Sequence, residues 1–193
     1  MKESRWNSGA NWNTPAPGEL DLVRRFLNTW RIDAGTRQPA EELHWLLRDP
    51  RAWEERFPGW PPGGGDTEDL LGRLREDLRR ALGAPEGWTE ALNGWFGGYP
   101  LVARVVEDGS VSVRYEPGPE AGFAGRVLAA VASNIADDTF FRLKACPDCR
   151  WVFYDKSRSR TRVWCGMYAG VGGRACGTIS KVRRYRQRHK AGE

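Results

Sequence analysis

Apolar residues recur at helical spacing in several stretches of the chain. Leu20, Val23, Phe26, Leu27 and Trp30 make one apolar face of a helix that starts near Glu19. Arg31–Gln38 reads as a polar loop, and Pro39 fits the first turn of a second helix with Leu43, Leu46 and Leu47 on one side. Asp49-Pro50 ends or kinks that helix, and a short one follows through Trp53 and Phe57. The stretch 58–65 is Pro-Gly-Trp-Pro-Pro-Gly-Gly-Gly, a linker or surface loop. Asp66 or Thr67 caps a helix lined by Leu70, Leu71, Leu74, Leu78 and Leu82 and stopped by Gly83. Its arginines, Arg73, Arg75, Arg79 and Arg80, read as a solvated face.

The period then changes to two. Leu101–Glu107 and Ser110–Tyr115 alternate around Asp108-Gly109, which predicts a β-hairpin ended by Pro117–Pro119. Phe123, Val127, Leu128, Val131 and Ile135 restore helical spacing and predict a long central helix over Phe123–Asp137. The fold class is therefore α+β: a tail over 1–18, a mostly helical body with one hairpin over 19–141, and a small cysteine-bearing module over 142–193.

Charge separates the same two parts. Residues 142–193 carry 14 Lys/Arg against three Asp/Glu, about +11; residues 1–141 carry 16 against 22, about −6. A basic module seeks phosphate, in nucleic acid or less often on an anionic membrane, unless it docks on the acidic body. No apolar run approaches the roughly 20 residues of a membrane span. Residues 1–20 show no apolar block of an export signal, so a cytoplasmic protein with no membrane partner is expected.

All four cysteines fall in the basic module, as Cys146-x2-Cys149-x15-Cys165-x10-Cys176. A Cys-x2-Cys knuckle followed by two further cysteines has the cadence of a structural zinc site. Disulfides would require an oxidising compartment, and an iron–sulfur cluster is the other metal reading. One Zn2+ held by Cys146, Cys149, Cys165 and Cys176 leaves no ligand position for water, so the metal is a staple and not a catalyst. The module is sketched as knuckle, strand over Trp151–Tyr154, turn over Lys156–Arg160, return strand bearing Trp164 and Cys165, then a helix. That order is treble-clef-like.

The last helix, Ser180–Lys190, carries Lys181, Arg183, Arg184, Arg186, Arg188 and Lys190, with Val182, Tyr185 and His189 as a narrow apolar stripe. Such a helix suits a groove of duplex DNA. A small-molecule pocket, if the protein has one, is placed in the body: Phe26, Trp30 and Trp45 beside Asn28, Thr29 and His44. Asn28 and Thr29 read equally well as pocket-facing groups or as side chains that close the first helix by hydrogen bonding. Two histidines and no nucleophile-elbow, P-loop or Rossmann glycine pattern make an enzyme the less favoured reading.

Several of these stretches resemble the bacterial CGNR zinc-finger proteins with an N-terminal ABATE domain, a family of stress-induced transcription regulators. Phe26-Leu27-Asn28-Thr29 is similar to the family's Phe-Val/Leu-Asn-Thr segment, and Pro39–Leu47 to the helix after it. Cys146–Asp155 resembles its knuckle and strand, and Trp164-Cys165 and Lys181-Val182-Arg183-Arg184 its closing motifs. The signature itself departs: Cys-Gly-Asn-Arg is here Cys176-Gly177-Thr178-Ile179, set further from Trp164-Cys165 by a glycine-rich stretch. The resemblance implies a DNA-binding transcription regulator whose body senses a small molecule or forms a homodimer. Two other readings remain open: a small-molecule-binding protein or enzyme of specialised metabolism with a purely structural zinc, and a protein-partner adaptor.

Overall fold

The computed structural model describes residues 14–63, 65–82, 87–107, 111–167 and 173–190. Most of the expected tail, the hairpin tip Asp108-Gly109, Gly83 and the stretch 168–172 lie outside the described residues, as does the Lys190 side chain.

Helix α1 (Leu20–Leu27) begins where the Asp21 carboxylate accepts the Ala16 N–H at 2.9 Å. Its expected apolar face is fully buried at Leu20, Val23, Phe26 and Leu27. Trp30 is not on this helix. The chain leaves it at Asn28 and runs into β1 (Trp30–Ile32), which pairs antiparallel with β2 (Pro39–Glu41). Pro39 therefore opens an edge strand instead of a helix, a place where its missing N–H costs nothing. The turn between the strands is made by the Asp33 carboxylate, which accepts the N–H groups of Gly35 and Thr36, and by Arg37 at φ 61°. Two short helices follow, α2 (Leu43–Leu46) and α3 (Pro50–Arg56). Asp49 closes the first and caps the second by accepting from the Arg51 and Ala52 amides, with Pro50 at the first helical position.

The proline–glycine stretch is no linker. Asp66 accepts the N–H of Gly63 at 2.6 Å and those of Phe123 and Ala124 at 2.6 and 3.1 Å. One carboxylate thus ties the loop down and caps α6 (Gly122–Ala136) from 57 residues away. A Cβ on Gly63 would lie 2.7 Å from the Gly122 Cα, so the two backbones meet where no side chain fits.

Helix α4 (Glu68–Ala81), capped by Thr67, buries Leu71, Leu74 and Leu78. Its arginines divide. Arg73 and Arg80 are exposed as expected, but Arg75 is buried against Glu41 and the Thr29 hydroxyl. Arg79 donates to the carbonyls of Leu27 at 2.6 Å and Arg150 at 2.5 Å and lies 4.8 Å over the Trp30 ring. The solvated-face reading fails at these two because α4 crosses the end of α1, where Arg79 meets the unpartnered Leu27 carbonyl and Arg75 meets Thr29 and the β2 carboxylate of Glu41. Helix α5 (Trp88–Gly98) follows, a Trp- and Gly-rich segment with no clear sequence signal.

Strands β3 (Leu101–Glu107) and β4 (Val111–Pro117) form the expected hairpin, with Ala103 opposite Tyr115 and Val105 opposite Val113. Helix α6 is the centre of the body: Phe123, Val127, Leu128 and Val131 are fully buried, and the Phe123 ring meets Phe26, Trp53 and Phe57 with centroids 4.8–5.4 Å apart. A 3-10 turn leads into β5 (Leu143–Ala145), which pairs with β6 (Val152–Tyr154), and the described chain ends in α7 (Cys176–Lys190). The whole is mixed: seven helices and three two-stranded sheets among the described residues. No helix of the described residues is long and apolar enough to cross a membrane.

Candidate metal centre and basic helix

The knuckle Cys146–Cys149 is the turn of the β5–β6 hairpin itself and does not precede a separate one. The Cys146 N–H donates to the Trp151 carbonyl at 2.9 Å and the Arg150 N–H to the Cys146 carbonyl at 2.8 Å, which closes the loop. Arg150 takes φ 61°, the left-handed conformation that favours glycine.

The return strand expected at Trp164-Cys165 is absent among the described residues. The free edge of β6 is already occupied by a side chain: Asn28 donates to the Val152 carbonyl at 2.8 Å and accepts the Val152 N–H at 2.7 Å. The chain after β6 instead folds round Asp155, which is buried and accepts from the Ser157 amide and hydroxyl, the Arg162 amide and Lys144. Burial alone would push the Asp155 carboxyl up, but the hydrogen bonds from Lys144, Ser157 and Arg162 outweigh it and hold it at about 2.

This loop brings Cys165 to the knuckle, and α7 brings Cys176 as its first residue. Gly177 donates its N–H to the Gly166 carbonyl at 3.0 Å, and a Cβ there would lie 2.2 Å from the Met167 sulfur, so a larger residue beside the last cysteine would have to displace the Met167 side chain. The Thr178 hydroxyl donates to the Met167 carbonyl at 2.5 Å. Helix α7 is thus tied at its N-terminus to the segment carrying Cys165.

The four cysteines are free and buried, and their sulfurs all lie within 4.8 Å of one another. Cys149 to Cys165 is 3.5 Å and Cys165 to Cys176 is 3.7 Å. A tetrahedral ion with metal–sulfur bonds of about 2.3 Å requires sulfurs about 3.8 Å apart. The cluster therefore fits a four-thiolate ion such as zinc. The hydrogen bond from Cys149 draws the Cys146 thiol far down, while hydrogen bonding to Cys146 pushes Cys176 far up. The sulfurs by themselves do not share four negative charges, whereas a divalent cation permits all four thiolates.

One carboxylate gathers arginines at this centre. Asp148, inside the knuckle, accepts from Arg174 at 2.5 Å and from Arg37 of the β1–β2 turn at 3.3 Å, and stands 3.9 Å from Arg183. The Arg174 hydrogen bond and burial act on it in opposite directions, and the former wins, so its pKa lies below the ordinary value. Asp148 suits the knuckle turn by sequence, but its pairing with Arg37 was not legible, because nothing in a local pattern links positions 111 residues apart.

Of the other basic-helix residues, the side chains of Lys181, Arg183, Arg184, Arg186 and Arg188 are exposed. Lys181, Arg184, Arg186 and Arg188 form no ion pair with the described residues, and α7 contains no Asp or Glu. Val182 and Tyr185 are exposed with them, and the Tyr185 ring stacks on His189 at 4.1 Å.

The six residues offered as a pocket are not gathered in one cavity. Phe26, Asn28 and Thr29 are sealed in the interior, with Thr29 donating to the Phe26 carbonyl. His44 and Trp45 stand exposed on α2, and Trp30 lies under Arg79. Thr29 thus takes the helix-closing reading, whereas Asn28 neither closes the helix nor faces a pocket: its amide bonds Val152 of β6. A body cavity of about 670 Å3 lies elsewhere, between β4 and α6, with Trp60, Tyr115, Arg126 and Asn134 on its walls.

No curated protein matches the chain. One family model does match part of it, and the part is the module that bears this cluster and helix: residues 142–189 match the CGNR zinc finger.

Proposed function

We propose that this protein is a zinc-stapled nucleic-acid-binding regulator that lays α7 against the phosphates of duplex DNA. The observation that carries the reading is the state of α7: cations exposed from Lys181 to Arg188, unpaired at four positions among the described residues, on a helix with no acidic residue. The alternative use of such charge, docking on the acidic body, is not favoured by this arrangement. Arg75 and Arg174, by contrast, are held by carboxylates, Glu41 and Asp148.

Cys146, Cys149, Cys165 and Cys176 would hold one zinc ion, which when bound supplies a four-way cross-link and no reaction. The chain's own residues set the orientation of α7. Cys176 and Thr178 fix its first turn, Asp148 draws in Arg183, and Asn28 docks the hairpin on the body. The helix is then presented at a fixed angle, and its cations meet phosphate without a large loss of chain entropy. The family signature's Asn and Arg are here Thr178 and Ile179, and the Thr178 hydroxyl is bound to the Met167 carbonyl. Base readout by that Arg is therefore not part of the proposal, and phosphate contacts dominate.

The test is charge reversal on one face. Arg184 and Arg188 are one turn apart. Arg184→Glu with Arg188→Glu is expected to lower affinity for duplex DNA by at least about 100-fold at low salt, since two phosphate contacts are lost and two repulsions gained. Zinc content should be unchanged. A double variant that binds as wild type does would overturn the reading.

A further inference from the structure

We propose that the body cavity between β4 and α6 binds a free α-amino acid with an aromatic side chain, its carboxylate on Arg126 and its ammonium group on Glu19. At about 670 Å3 the cavity has the size of a small-molecule site. A second cavity of about 550 Å3 shares Glu19, Trp60, Glu116, Pro117 and Arg126 with it, so these residues stand where the two meet.

Two charges on the larger cavity's wall have no counter-charge. Arg126, half-buried on α6, lies 5.2 Å over the Trp60 ring and donates to the Gly59 carbonyl at 3.3 Å. The ring and the carbonyl hold the guanidinium in place, and no carboxylate of the described residues meets its remaining N–H groups. Glu19, just before α1, is the converse, a carboxylate with no cation among the described residues. Both line the same cavity, yet they do not pair with each other. The other charges there are committed: Asp137 holds Arg114, and Glu116 is held by Arg104 at 2.9 Å. Glu120 is exposed and borders only the smaller cavity. Ser133 donates to the Ala129 carbonyl and accepts the Tyr115 N–H, while Asn134 donates to the Ala130 carbonyl and accepts from Thr139.

One free cation and one free anion select the ligand. A simple anion would satisfy Arg126 but face the Glu19 carboxylate, and a simple cation would do the reverse. A zwitterion answers both, and an α-amino acid carries the two charges on one carbon. The planar guanidinium fork suits a carboxylate, which it binds through two parallel hydrogen bonds. The rest of the wall offers broad apolar surface at Trp60, Tyr115, Pro17 and Pro117. A rigid aromatic side chain covers such a surface with large contact area at little cost in conformational freedom.

Titration of the zinc-loaded full chain with L-phenylalanine, followed by the NMR shifts of its backbone amides and indole N–H groups, tests this. Saturable shifts are expected at Glu19, Trp60, Tyr115 and Arg126, with a dissociation constant of about 2 mM or tighter. Phenethylamine lacks the carboxylate and 3-phenylpropionate lacks the ammonium group, and each is expected to bind at least about tenfold more weakly. Arg126→Gln should erase the preference for L-phenylalanine over phenethylamine, and Glu19→Gln the preference over 3-phenylpropionate. Should Arg126→Gln fail to fold, Glu19→Gln and the three compounds on wild type still decide. Absence of shifts at about 10 mM L-phenylalanine overturns the proposal. So do shifts confined to other residues, equal binding of the three compounds, or preferences that survive the substitutions in folded protein.

Discussion

Asn28 does the work of a short strand with one side chain. Its amide satisfies both backbone groups of Val152 on the edge of β6, and it is buried there. Asn28→Ala leaves both groups without a partner, each at about 1–3 kcal/mol. Urea unfolding should show a loss within or above that range with zinc content retained; a change under about 0.5 kcal/mol would mean that water replaces the amide freely. Arg150 presents the opposite case. It holds φ 61° at the knuckle, and neither its N–H nor its carbonyl requires the side chain. Arg150→Gly is expected to stabilise by up to about 1 kcal/mol, the left-handed penalty less glycine's extra unfolded-state freedom; destabilisation would assign the side chain a folding role. Asp155, held at about 2, lies below its ordinary 3.8 and so favours the folded state above about pH 4. That contribution disappears as pH falls toward 2. Asp155→Asn should be the less stable protein near neutrality, and the gap between the two should close across that acid window; a gap that persists below it would point to shape, not charge.

At the scale of elements, the hairpin β5–β6 and α7 depend on the cysteine cluster in different degrees. The hairpin shares the body's core through Leu143 and Val152. Helix α7 has exposed side chains along 181–189, and its like charges at Arg184 and Arg188 repel one turn apart. A lone helix of 15 residues is marginal even with a favourable sequence. Metal removal by a chelator, or Cys165→Ser, should therefore abolish amide protection over 176–190 while the core of α6 keeps its own. Hydrogen exchange reads this directly, and protection of α7 that survives metal removal would refute the anchoring. The same contrast explains what was legible beforehand. Helices α1, α4, α6 and α7 each announce themselves by local spacing or charge, and the cysteine cadence marks the metal cluster. The β1–β2 ribbon, the Asp66 clasp, the buried Arg75 and the Asn28 dock were not legible, because each rests on a partner distant in sequence. Pro39 misled for a related reason: its fixed φ suits a helix start and a strand edge alike.

At the scale of the molecule, charge and structure assign different tasks to the two parts. An acidic body, about −6, carries most of the core, and a module of about +11 carries the cysteine cluster and a basic helix whose Lys181, Arg184, Arg186 and Arg188 have no ion pair among the described residues. The two are joined by Asn28, by Arg79 reaching the Arg150 carbonyl and by Arg37 at Asp148, so the body fixes where α7 points. The central claim is that this helix meets phosphate. It is tested most directly by the affinity of the zinc-loaded protein for random-sequence duplex DNA, measured by fluorescence anisotropy across a salt series. If about four cations engage the backbone, log K against log salt should fall with a slope of roughly −3 to −4. Absence of binding at about 50 mM salt, or binding with a slope near zero, would contradict it.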